Sequence, residues 1–566
     1  MKAYLVFGIF AGVVIIIILI KGICDERRDR KKFVAKLYRE YGKVRERTYS
    51  PEQYASIARF YEKHPGEGQI DDITWNDLNF DHIFKRINDT YSSAGEEYLY
   101  YLLRTPSFEK GRLEHLDRIS EFFRQDADTR VRVQYILAKL GRTGKFSLHD
   151  YLGHLDTLGE RSNLKHYIVD LLFLPVMGWI CIDPSMGLLF LAVLSIYNII
   201  TYFKEKNEID SYITSFAYVM RLLQCADKLG MMKIEVCSEE LEKINWHRRQ
   251  LGRFRRGSFW LMSSGRMSGS GNPIDIVLDY LRMMLHLDLI KFNSMLAQIR
   301  KHTEDIDMLV QTVGYLESAI AVGAFRESLK GQWCKPALGE NSTLRALELY
   351  HPMITNPVKN SIVTERGVLI TGSNASGKST FLKTVAVGAI LAQTIYTCPA
   401  DCYEGEFYHI CSSMALRDDL AGGESYYIVE VKALKRILDL SAVSNHKVLC
   451  FVDEVLRGTN TVERIAASTQ ILRSLTGDKV LCFAATHDIE LTTLLESAYD
   501  NYHFEEEVED GDIHFNYKLR RGRATTRNAI KLLRIMGYDP AIVERAGRQA
   551  EVFLETGDWK EQEESI

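Results

Sequence analysis

The stretch GVLITGSNASGKSTFLKT, residues 367–384, constrains the fold of this 566-residue chain more than any other feature. An apolar run at 368–370 predicts a buried strand, and a helical pattern begins at Lys378. The residues between them fit the spacing G-x-x-x-x-G-K-[ST], whose glycines let backbone N–H groups turn towards an anion at a helix N-terminus. The sequence therefore predicts a nucleotide-phosphate loop within an α/β domain.

The residues of this loop have expected roles. Lys378 is expected to reach the β- and γ-phosphates of ATP, and the Ser379 hydroxyl is expected to hold Mg²⁺. The predicted nucleotide-binding residues are Gly372, Ser373, Asn374, Ala375, Ser376, Gly377, Lys378, Ser379 and Thr380.

A second apolar run, residues 448–452, predicts a strand that ends at two acidic residues. Parallel strands bring their carboxyl ends to the ligand crevice, so Asp453 is expected to complete the Mg²⁺ site. Glu454, one residue further on, is expected to polarise the attacking water as the general base. A further parallel strand is predicted at 480–485.

The order of these parts is similar to that of ABC-type ATPases. The glycine–serine stretch that contains Ser425 lies between the phosphate loop and the acidic pair, and His487 follows the predicted strand at 480–485. This resemblance implies that Ser425 contacts the γ-phosphate bound by a second copy of the chain, and that His487 contacts the γ-phosphate of its own copy. A single chain cannot complete such a site, so the mechanism implies a dimer.

Two apolar features predict attachment to a membrane. Residues 4–20 form an apolar run that can cross a bilayer as an uncleaved anchor; the alternative is a signal peptide, but no small-residue cleavage site follows. Residues 167–182 and 186–203 are two further runs around Asp183-Pro184-Ser185. They predict a membrane hairpin, with a buried hairpin of the helical core as the alternative.

Positive charge sets the expected orientation. Basic residues crowd the region after the first apolar run, at Lys21, Arg27, Arg28, Arg30, Lys31 and Lys32. Lysines also lie before the hairpin and after it, whereas its turn has none. By the positive-inside rule, the N-terminus faces outwards and the ATPase domain lies in the cytoplasm, at the inner membrane of the cell.

Composition limits the other possibilities. The formal net charge is −4, so a nucleic-acid-binding surface would have to be local. One local candidate, residues 247–260, interleaves basic and aromatic residues, at Arg248, Arg249, Arg253, Phe254, Arg255, Arg256, Phe259 and Trp260. Such a pattern suits nucleic acid and an anionic lipid surface equally, and it is also typical of a solvated helix face. The ten cysteines are scattered, which suits free thiols in a reducing compartment.

The chain resembles the MutS family of DNA mismatch repair ATPases. Its phosphate loop is similar to the family pattern G-P-N-x-x-G-K-S-T-[YF]-L-[RK], and residues 418–431 resemble D-D-L-x-x-G-x-S-T-F-x-x-E-M. Residues 451–464 resemble L-D-E-x-G-R-G-T-S-T-x-[DE]-G, and residues 485–491 resemble A-T-H-[YF]-x-E-L. The tail from residue 517 is similar to the closing helical pair that supports dimerisation, and residues 88–122 and 315–336 resemble the ends of the helical core.

The resemblance implies a fold: an α/β P-loop (ABC-type) ATPase domain at the C-terminus, preceded by an all-α MutS-like core and lever region that carries a transmembrane helix and an inserted transmembrane hairpin. The expected segments are an anchor at 1–23, a cytoplasmic helical segment at 24–74, the first part of the core at 75–164, the hairpin at 165–203, the rest of the core at 204–340, and the ATPase domain with its dimerisation tail at 341–566.

The sequence also departs from the family pattern. The mismatch-reading and connector domains are not recognised, Ser373 replaces a proline, and Met353 or Ile354 stands where the family has an aromatic residue that stacks on adenine. The family implies ATP hydrolysis with Mg²⁺, a homodimer and DNA binding. We expect an ATP-gated clamp that holds DNA near the membrane, with an unidentified membrane or repair partner. The alternatives are an ABC-like mechanochemical ATPase that acts on a membrane protein without nucleic acid, and a regulatory or degenerate ATPase.

Overall fold

The protein is described here from a computed structural model. The residues that it describes are 21, 24–143, 147–153, 159–252, 254, 283–340, 343–373, 376–414, 426–509, 512–524, 530, 533–534 and 536–557. The predicted anchor at 4–20 lies outside them. The chain divides into two compact units, the first formed by Met1–Pro65, Arg86–Tyr101 and Asp117–Ser328, and the second by Gly66–Lys85, Leu102–Leu116 and Leu329–Ile566.

The part of the chain before residue 329 is helical throughout its described length, apart from connecting turns and loops. In order, its α-helices are α1 (24–40), α2 (Pro51–Ile57), α3 (Arg59–Lys63), α4 (Asp72–Asp77), α5 (Phe80–Ile87), α6 (Ser93–Arg104), α7 (Lys110–Gln125), α8 (Ala127–Leu140), α9 (Leu148–Gly153), α10 (Leu164–Ile182), α11 (Pro184–Gly230), α12 (Ser238–Gln250), α13 (Leu287–Lys301) and α14 (Thr303–Ser328).

Helices α10 and α11 form the predicted hairpin. Asp183 lies at the turn, and its side chain caps α11 by accepting hydrogen bonds from the N–H groups of Ser185 and Met186 at 3.1 and 3.2 Å. Gly187 allows the close approach of the two helices, because a Cβ there would lie 2.6 Å from the backbone of Ile180. Helix α11 then continues without a break to Gly230, well beyond the end of the apolar run.

Three of the described helices are long and apolar enough to cross a bilayer, but they differ in burial. In Leu164–Ile182 and Pro184–Ile209 only 6% and 17% of the most apolar window is buried, whereas in Thr303–Ser328 the share is 83%. Helix α14 is therefore the packed centre of the first unit. The hairpin instead exposes apolar side chains, among them Leu171, Leu174, Trp179, Ile182, Leu189, Val193 and Ile200.

The second unit contains two sheets. Its strands are β1 (Ala337–Leu338), β2 (Leu344–Leu349), β3 (Asn360–Thr364), β4 (Gly367–Thr371), β5 (Cys402–Gly405), β6 (Tyr408–Ser413), β7 (Lys447–Asp453), β8 (Val480–Ala485), β9 (Tyr499–Glu509) and β10 (Asp512–Arg521). Its later helices are α15 (Lys378–Ile395), α16 (Tyr426–Val443), α17 (Thr461–Ser474), α18 (Glu490–Leu494) and α19 (Pro540–Thr556).

The larger sheet has the strand order β10-β9-β4-β8-β7-β6, and neighbours are parallel except for β9 and β10. The smaller sheet has the order β1-β5-β2-β3. Strand β4 is buried at every residue and lies between β8 and β9. Because parallel strands present their carboxyl ends at one edge, this order places the segments that follow β4, β7 and β8 next to one another.

Strand β6 is the outer strand of the larger sheet, and α4 covers it within the second unit. The Asp77 carboxylate accepts hydrogen bonds from Ser412 Oγ at 2.7 Å and from Met414 N–H at 2.8 Å. Ser412 N–H donates to Thr74 Oγ1 at 3.1 Å, and Arg436 forms an ion pair with Asp71. Helix α4 thus satisfies polar groups at a strand end that would otherwise be a free sheet edge.

Candidate functional site

The loop between β4 and α15 needs glycine at two positions. Gly372 has φ +146°, and a Cβ there would lie 2.8 Å from the carbonyl oxygen of Phe504. Gly377, the N-cap of α15, has φ +111°, and a Cβ would lie 3.2 Å from the Tyr517 ring. Both the backbone conformation and the lack of space therefore exclude side chains. Of the predicted loop residues, Asn374 and Ala375 lie outside the described part of the chain.

Lys378 lies at the first position of α15 and is almost fully buried. Its Nζ donates to the carbonyl oxygens of Gly372 and Ser373, each at 2.7 Å. Ser379 and Thr380, which follow it, are exposed, and both line a cleft of about 760 Å³. The loop therefore presents a positive charge and two hydroxyl groups at a helix N-terminus, which is an arrangement that suits phosphate.

The two acidic residues lie where the sequence predicts them, at the end of β7. Asp453 is opposite Ala485 of β8, and Glu454 N–H donates to the carbonyl oxygen of Ala485 at 2.9 Å. Both acidic side chains line the same cleft as Lys378 and Ser379. Carboxylate and hydroxyl oxygens are ligands that Mg²⁺ prefers, so Asp453 and Ser379 fit a magnesium site.

The Glu454 carboxylate lies between two cationic or proton-donating groups. Its oxygens are 3.0 Å from His487 Nε2 and 2.5 Å from Arg457 Nε. Burial would raise the pKa of Glu454, but the hydrogen bond from His487 and the charges of Arg457 and Lys378 outweigh burial, so the pKa lies below its usual range. Glu454 is therefore a carboxylate at neutral pH, the form that a general base requires.

His487 contacts both the acidic residue and the lysine of the site. Its Nε2 lies 3.0 Å from Glu454 and 3.3 Å from Lys378 Nζ. One ring nitrogen cannot donate to the carboxylate and accept from the ammonium group at once. The shorter contact favours Nε2–H donating to Glu454, since the Lys378 ammonium group already has two carbonyl acceptors.

An ion pair holds the residue that follows His487. Arg464 of α17 donates two hydrogen bonds to the Asp488 carboxylate, from Nε at 2.9 Å and from an Nη nitrogen at 2.6 Å. The Asp488 N–H also donates to Thr486 Oγ1 at 3.0 Å, and Thr486 N–H donates to Ile370 of β4 at 3.0 Å. The turn that carries His487 is thus fixed to α17 and to the phosphate-loop strand.

Two residues of the site were not assigned a role from the sequence. Arg457 pairs with Glu454, as described above. Glu430 of α16 is buried and accepts a hydrogen bond from Leu456 N–H at 2.5 Å, and burial raises the pKa of Glu430. The glutamate at the end of the pattern matched by residues 418–431 was the available signal for Glu430.

Other residues that line the cleft bear on recognition of the adenine base. Ile354 lines the cleft together with His351 and Pro357, whereas Met353 does not. An aromatic side chain is nevertheless present, because Tyr517 also lines the cleft, and its carbonyl oxygen accepts from Asn360 Nδ2 at 2.9 Å. The aromatic ring comes from β10 in the tail of the chain, far in sequence from residue 353, where the family pattern has its aromatic residue.

Two predicted features lie wholly or partly outside the described residues. Ser425 and the rest of its glycine–serine stretch lie outside the described residues. Of the basic cluster, Arg253, Arg255 and Arg256 also lie outside them. Arg248 pairs with Asp227 at 2.6 Å, while Arg249 is exposed. The charge of Arg248 is therefore already matched within the helical unit.

Comparison with known proteins agrees with this geometry. The family model described as MutS domain V matches residues 368–553. The chain is 31% identical over 254 residues to the DNA mismatch repair protein MutS of Roseiflexus castenholzii, which is 42% of this chain and 23% of that protein. It is 30% identical over 264 residues to the protein of the same name from Thermus thermophilus, which is 45% of this chain and 31% of that protein.

A third relative carries a different name. The chain is 34% identical over 194 residues to DNA mismatch repair protein MutS 2 of Haloarcula marismortui, covering 34% of this chain and 20% of that protein. These matches span between a fifth and a third of the relatives' length. The similarity to MutS proteins supports a P-loop ATPase domain of the MutS type at the C-terminal end of this chain.

Proposed function

We propose that this chain is a membrane-attached, MutS-like ATPase that hydrolyses ATP to ADP and phosphate. The observation that carries the proposal is the convergence of Lys378, Glu454 and His487 at one end of a single cleft. The three residues come from separate segments, 109 residues apart at the extremes, so their proximity is a property of the fold.

The reaction follows from the positions of the groups. Lys378 and the N-terminus of α15 hold the β- and γ-phosphates, and the Glu454 carboxylate accepts a proton from the attacking water. Magnesium held by Ser379 and Asp453 neutralises charge on the phosphates when it is bound. His487 donates to Glu454 before substrate arrives, and it is placed to turn this hydrogen bond towards the γ-phosphate. In the proposed dimer, Ser425 of a second copy covers that phosphate.

Attachment to a bilayer is supported by the hairpin. Its apolar side chains are exposed along both helices, and salt bridges lie just beyond the ends of the apolar runs. There Lys165 pairs with Glu205 at 2.6 Å, and Arg161 pairs with Glu208 at 2.8 Å. We propose that this charged belt lies at the cytoplasmic surface of the inner membrane, with the ATPase domain on the same side.

DNA is the proposed partner because the relatives with similar ATPase domains are named DNA mismatch repair proteins. We propose an ATP-gated clamp on DNA. The second candidate function is mechanochemical work on a membrane protein without nucleic acid. The ion pair of Arg248 with Asp227 favours this second candidate, because it neutralises part of the basic cluster on which DNA contact would depend.

The ATPase proposal is tested with Glu454→Gln in the full chain. Loss of the general base is expected to lower kcat about 100-fold or more, while binding of ATP is retained. The matched control is Glu463→Gln, an exposed glutamate outside the cleft, for which kcat should be unchanged. Equal turnover in Glu454→Gln and the parent protein would show that Glu454 is not the base.

Dimerisation and DNA binding are tested separately. Specific ATPase activity should rise with protein concentration, and Ser425→Ala should abolish this rise; constant activity down to strict monomers would contradict the shared site.

Filter binding with duplex and branched DNA should be strengthened by ATP and weakened steeply by salt. Intact ATPase activity without DNA binding would favour the membrane-protein alternative.

A further inference from the structure

Two cysteines lie opposite each other in the second unit, one of them just after the C-terminal end of α15. Cys334 is in the segment between Ser328 and β1, and Cys398 follows the end of α15 by three residues. They form an isolated antiparallel bridge and exchange both backbone hydrogen bonds, from Cys334 N–H to Cys398 at 2.9 Å and from Cys398 N–H to Cys334 at 3.0 Å. Both thiols are free.

The backbone spacing of such a pair is compatible with a disulfide. Directly opposite residues that exchange two hydrogen bonds have Cα atoms about 5.5 Å apart, inside the range of about 4.4–6.8 Å that disulfides occupy. The Cβ atoms are further apart in this type of pair than in the other antiparallel type, so a disulfide here would be easier to reduce. A labile bond of this kind suits reversible oxidation in a reducing compartment.

The two thiols differ in the way that a reactive pair requires. Cys334 is partly exposed, and hydrogen bonds from the Cys398 thiol and the Tyr403 N–H hold the pKa of its thiol below the usual range. Cys398 is fully buried, and its sulfur lies 3.4 Å from the position that a Cβ of Gly388 in α15 would take. Burial raises the pKa of Cys398.

We propose that Cys334 and Cys398 form an intramolecular disulfide when the protein meets a hydroperoxide. The Cys334 thiolate attacks one oxygen of hydrogen peroxide, the O–O bond breaks, hydroxide is released, and Cys334 becomes a sulfenic acid. The Cys398 sulfur then attacks the Cys334 sulfur, the S–O bond breaks, and the oxygen leaves as water with the Cys398 proton. In total, two thiols and one hydrogen peroxide give one disulfide and two waters.

Other cysteines of the second unit provide an internal comparison. Cys411, Cys450 and Cys482 lie in register on neighbouring strands, Cys411 beside Cys450 and Cys450 beside Cys482. Each of the three is at most 2% exposed, so hydrogen peroxide does not reach them in the folded protein. Adjacency alone is therefore insufficient, and the partial exposure of Cys334 makes the proposed pair selective.

The test treats the full chain in detergent with hydrogen peroxide and maps the product by mass spectrometry. Digestion with trypsin and a protease that cleaves before aspartate separates Cys398 from Cys402, because Asp401 lies between them. We expect one cross-link, between Cys334 and Cys398, which a thiol reductant reverses. A cross-link from Cys334 to Cys402, or no cross-link at peroxide levels that oxidise the exposed Cys181, would overturn the proposal.

Variants separate the two steps. Cys398→Ser should abolish the cross-link and leave a sulfenic acid on Cys334 that dimedone traps, whereas Cys334→Ser should abolish both products. Cys402→Ser is the matched control because it removes a nearby thiol, on β5, that takes no part in the proposed disulfide. This variant should cross-link like the parent protein. If Cys398→Ser does not fold, the map of the parent protein decides alone. A dimedone adduct on Cys334 of the folded parent protein, without any cross-link, would contradict the role of Cys398.

Discussion

At the scale of single residues, the end of β7 stands out for its backbone. Glu454 and Leu456 both have φ +59°, in the left-handed region that costs a residue with a side chain roughly 1 kcal/mol or more. The hydrogen bonds of Glu454 N–H to Ala485 and of Leu456 N–H to Glu430 hold this conformation. The conformation directs the Glu454 carboxylate towards His487, so the strain serves the proposed chemistry.

Leu456 and Arg464 both depart from the MutS-like pattern, which has glycine at each position. Asp488 departs as well, since it stands at the position of an aromatic residue in that pattern. The structure pairs two of these departures, because Arg464 and Asp488 form the two-hydrogen-bond ion pair beside His487. We infer that each of the two residues compensates for the other.

This inference predicts a result for a double-mutant cycle. Arg464→Gly alone is expected to lower kcat for ATP about tenfold, since it leaves Asp488 unpaired and loosens the turn that carries His487. Adding Asp488→Tyr, which restores the residue types of the pattern, should recover most of the loss. The measurement is kcat of each variant, with thermal unfolding as a check on the fold. Equal kcat in all four proteins would contradict a positioning role.

Some parts of the site can be predicted from the sequence, and others cannot. The phosphate loop, Asp453 and Glu454 follow from a local pattern, because the strand, the turn and the helix are contiguous. The pairing of Arg464 with Asp488 and the arrival of Tyr517 at the cleft depend on which strands become neighbours in the sheet. The residues themselves carry no signal of that order, so only the fold reveals these contacts.

At the scale of elements, the least expected feature is α4 against β6. The sequence predicts segments at 24–74 and 75–164, whereas the compact second unit takes Gly66–Lys85 and Leu102–Leu116 from this region. The contact of Thr74 with Ser412 joins residues 338 positions apart. Helical periodicity predicts that α4 exists, but hydrogen bonds to a distant strand end leave no periodic signal.

Removal of the Asp77 carboxylate should destabilise the second unit. Asp77→Ala leaves Ser412 Oγ and Met414 N–H buried without their acceptor, at a cost of about 2 kcal/mol, or about 6 °C in Tm. Thermal unfolding followed by circular dichroism measures the loss. The control is Asp439→Ala, which removes an exposed ion pair with Lys435 and should leave Tm nearly unchanged. A similar Tm for both variants would show that the hydrogen bonds between α4 and the end of β6 do not stabilise the second unit.

At the scale of the whole molecule, the proposed topology makes a prediction about two native cysteines. Cys181 is exposed close to the hairpin turn, and Cys24 is exposed just after the predicted anchor. With three crossings and an outward N-terminus, Cys181 lies at the outer end of the first hairpin helix, and Cys24 lies on the cytoplasmic side. A membrane-impermeant maleimide should therefore label Cys181 in intact cells, and Cys24 only after permeabilisation.

Single variants assign the label in that experiment. Cys181→Ser should remove the labelling of intact cells, and Cys24→Ser should not change it. Labelling of Cys24 in intact cells, with Cys181 reached only after permeabilisation, would invert the orientation. If Cys181 is reached only after permeabilisation, like Cys24, the hairpin does not cross the bilayer.

The unbroken course of α11 has a mechanical consequence. A 47-residue α-helix is about 70 Å long, and it runs from the hairpin turn into the packed interior of the first unit. A stiff rod of that length transmits twist and tilt along its axis, where a flexible tether would absorb them. In the proposed membrane attachment, a rotation or tilt of the helical unit would thus reach the lipid as torque, and bilayer tension would act on that unit along the same helix.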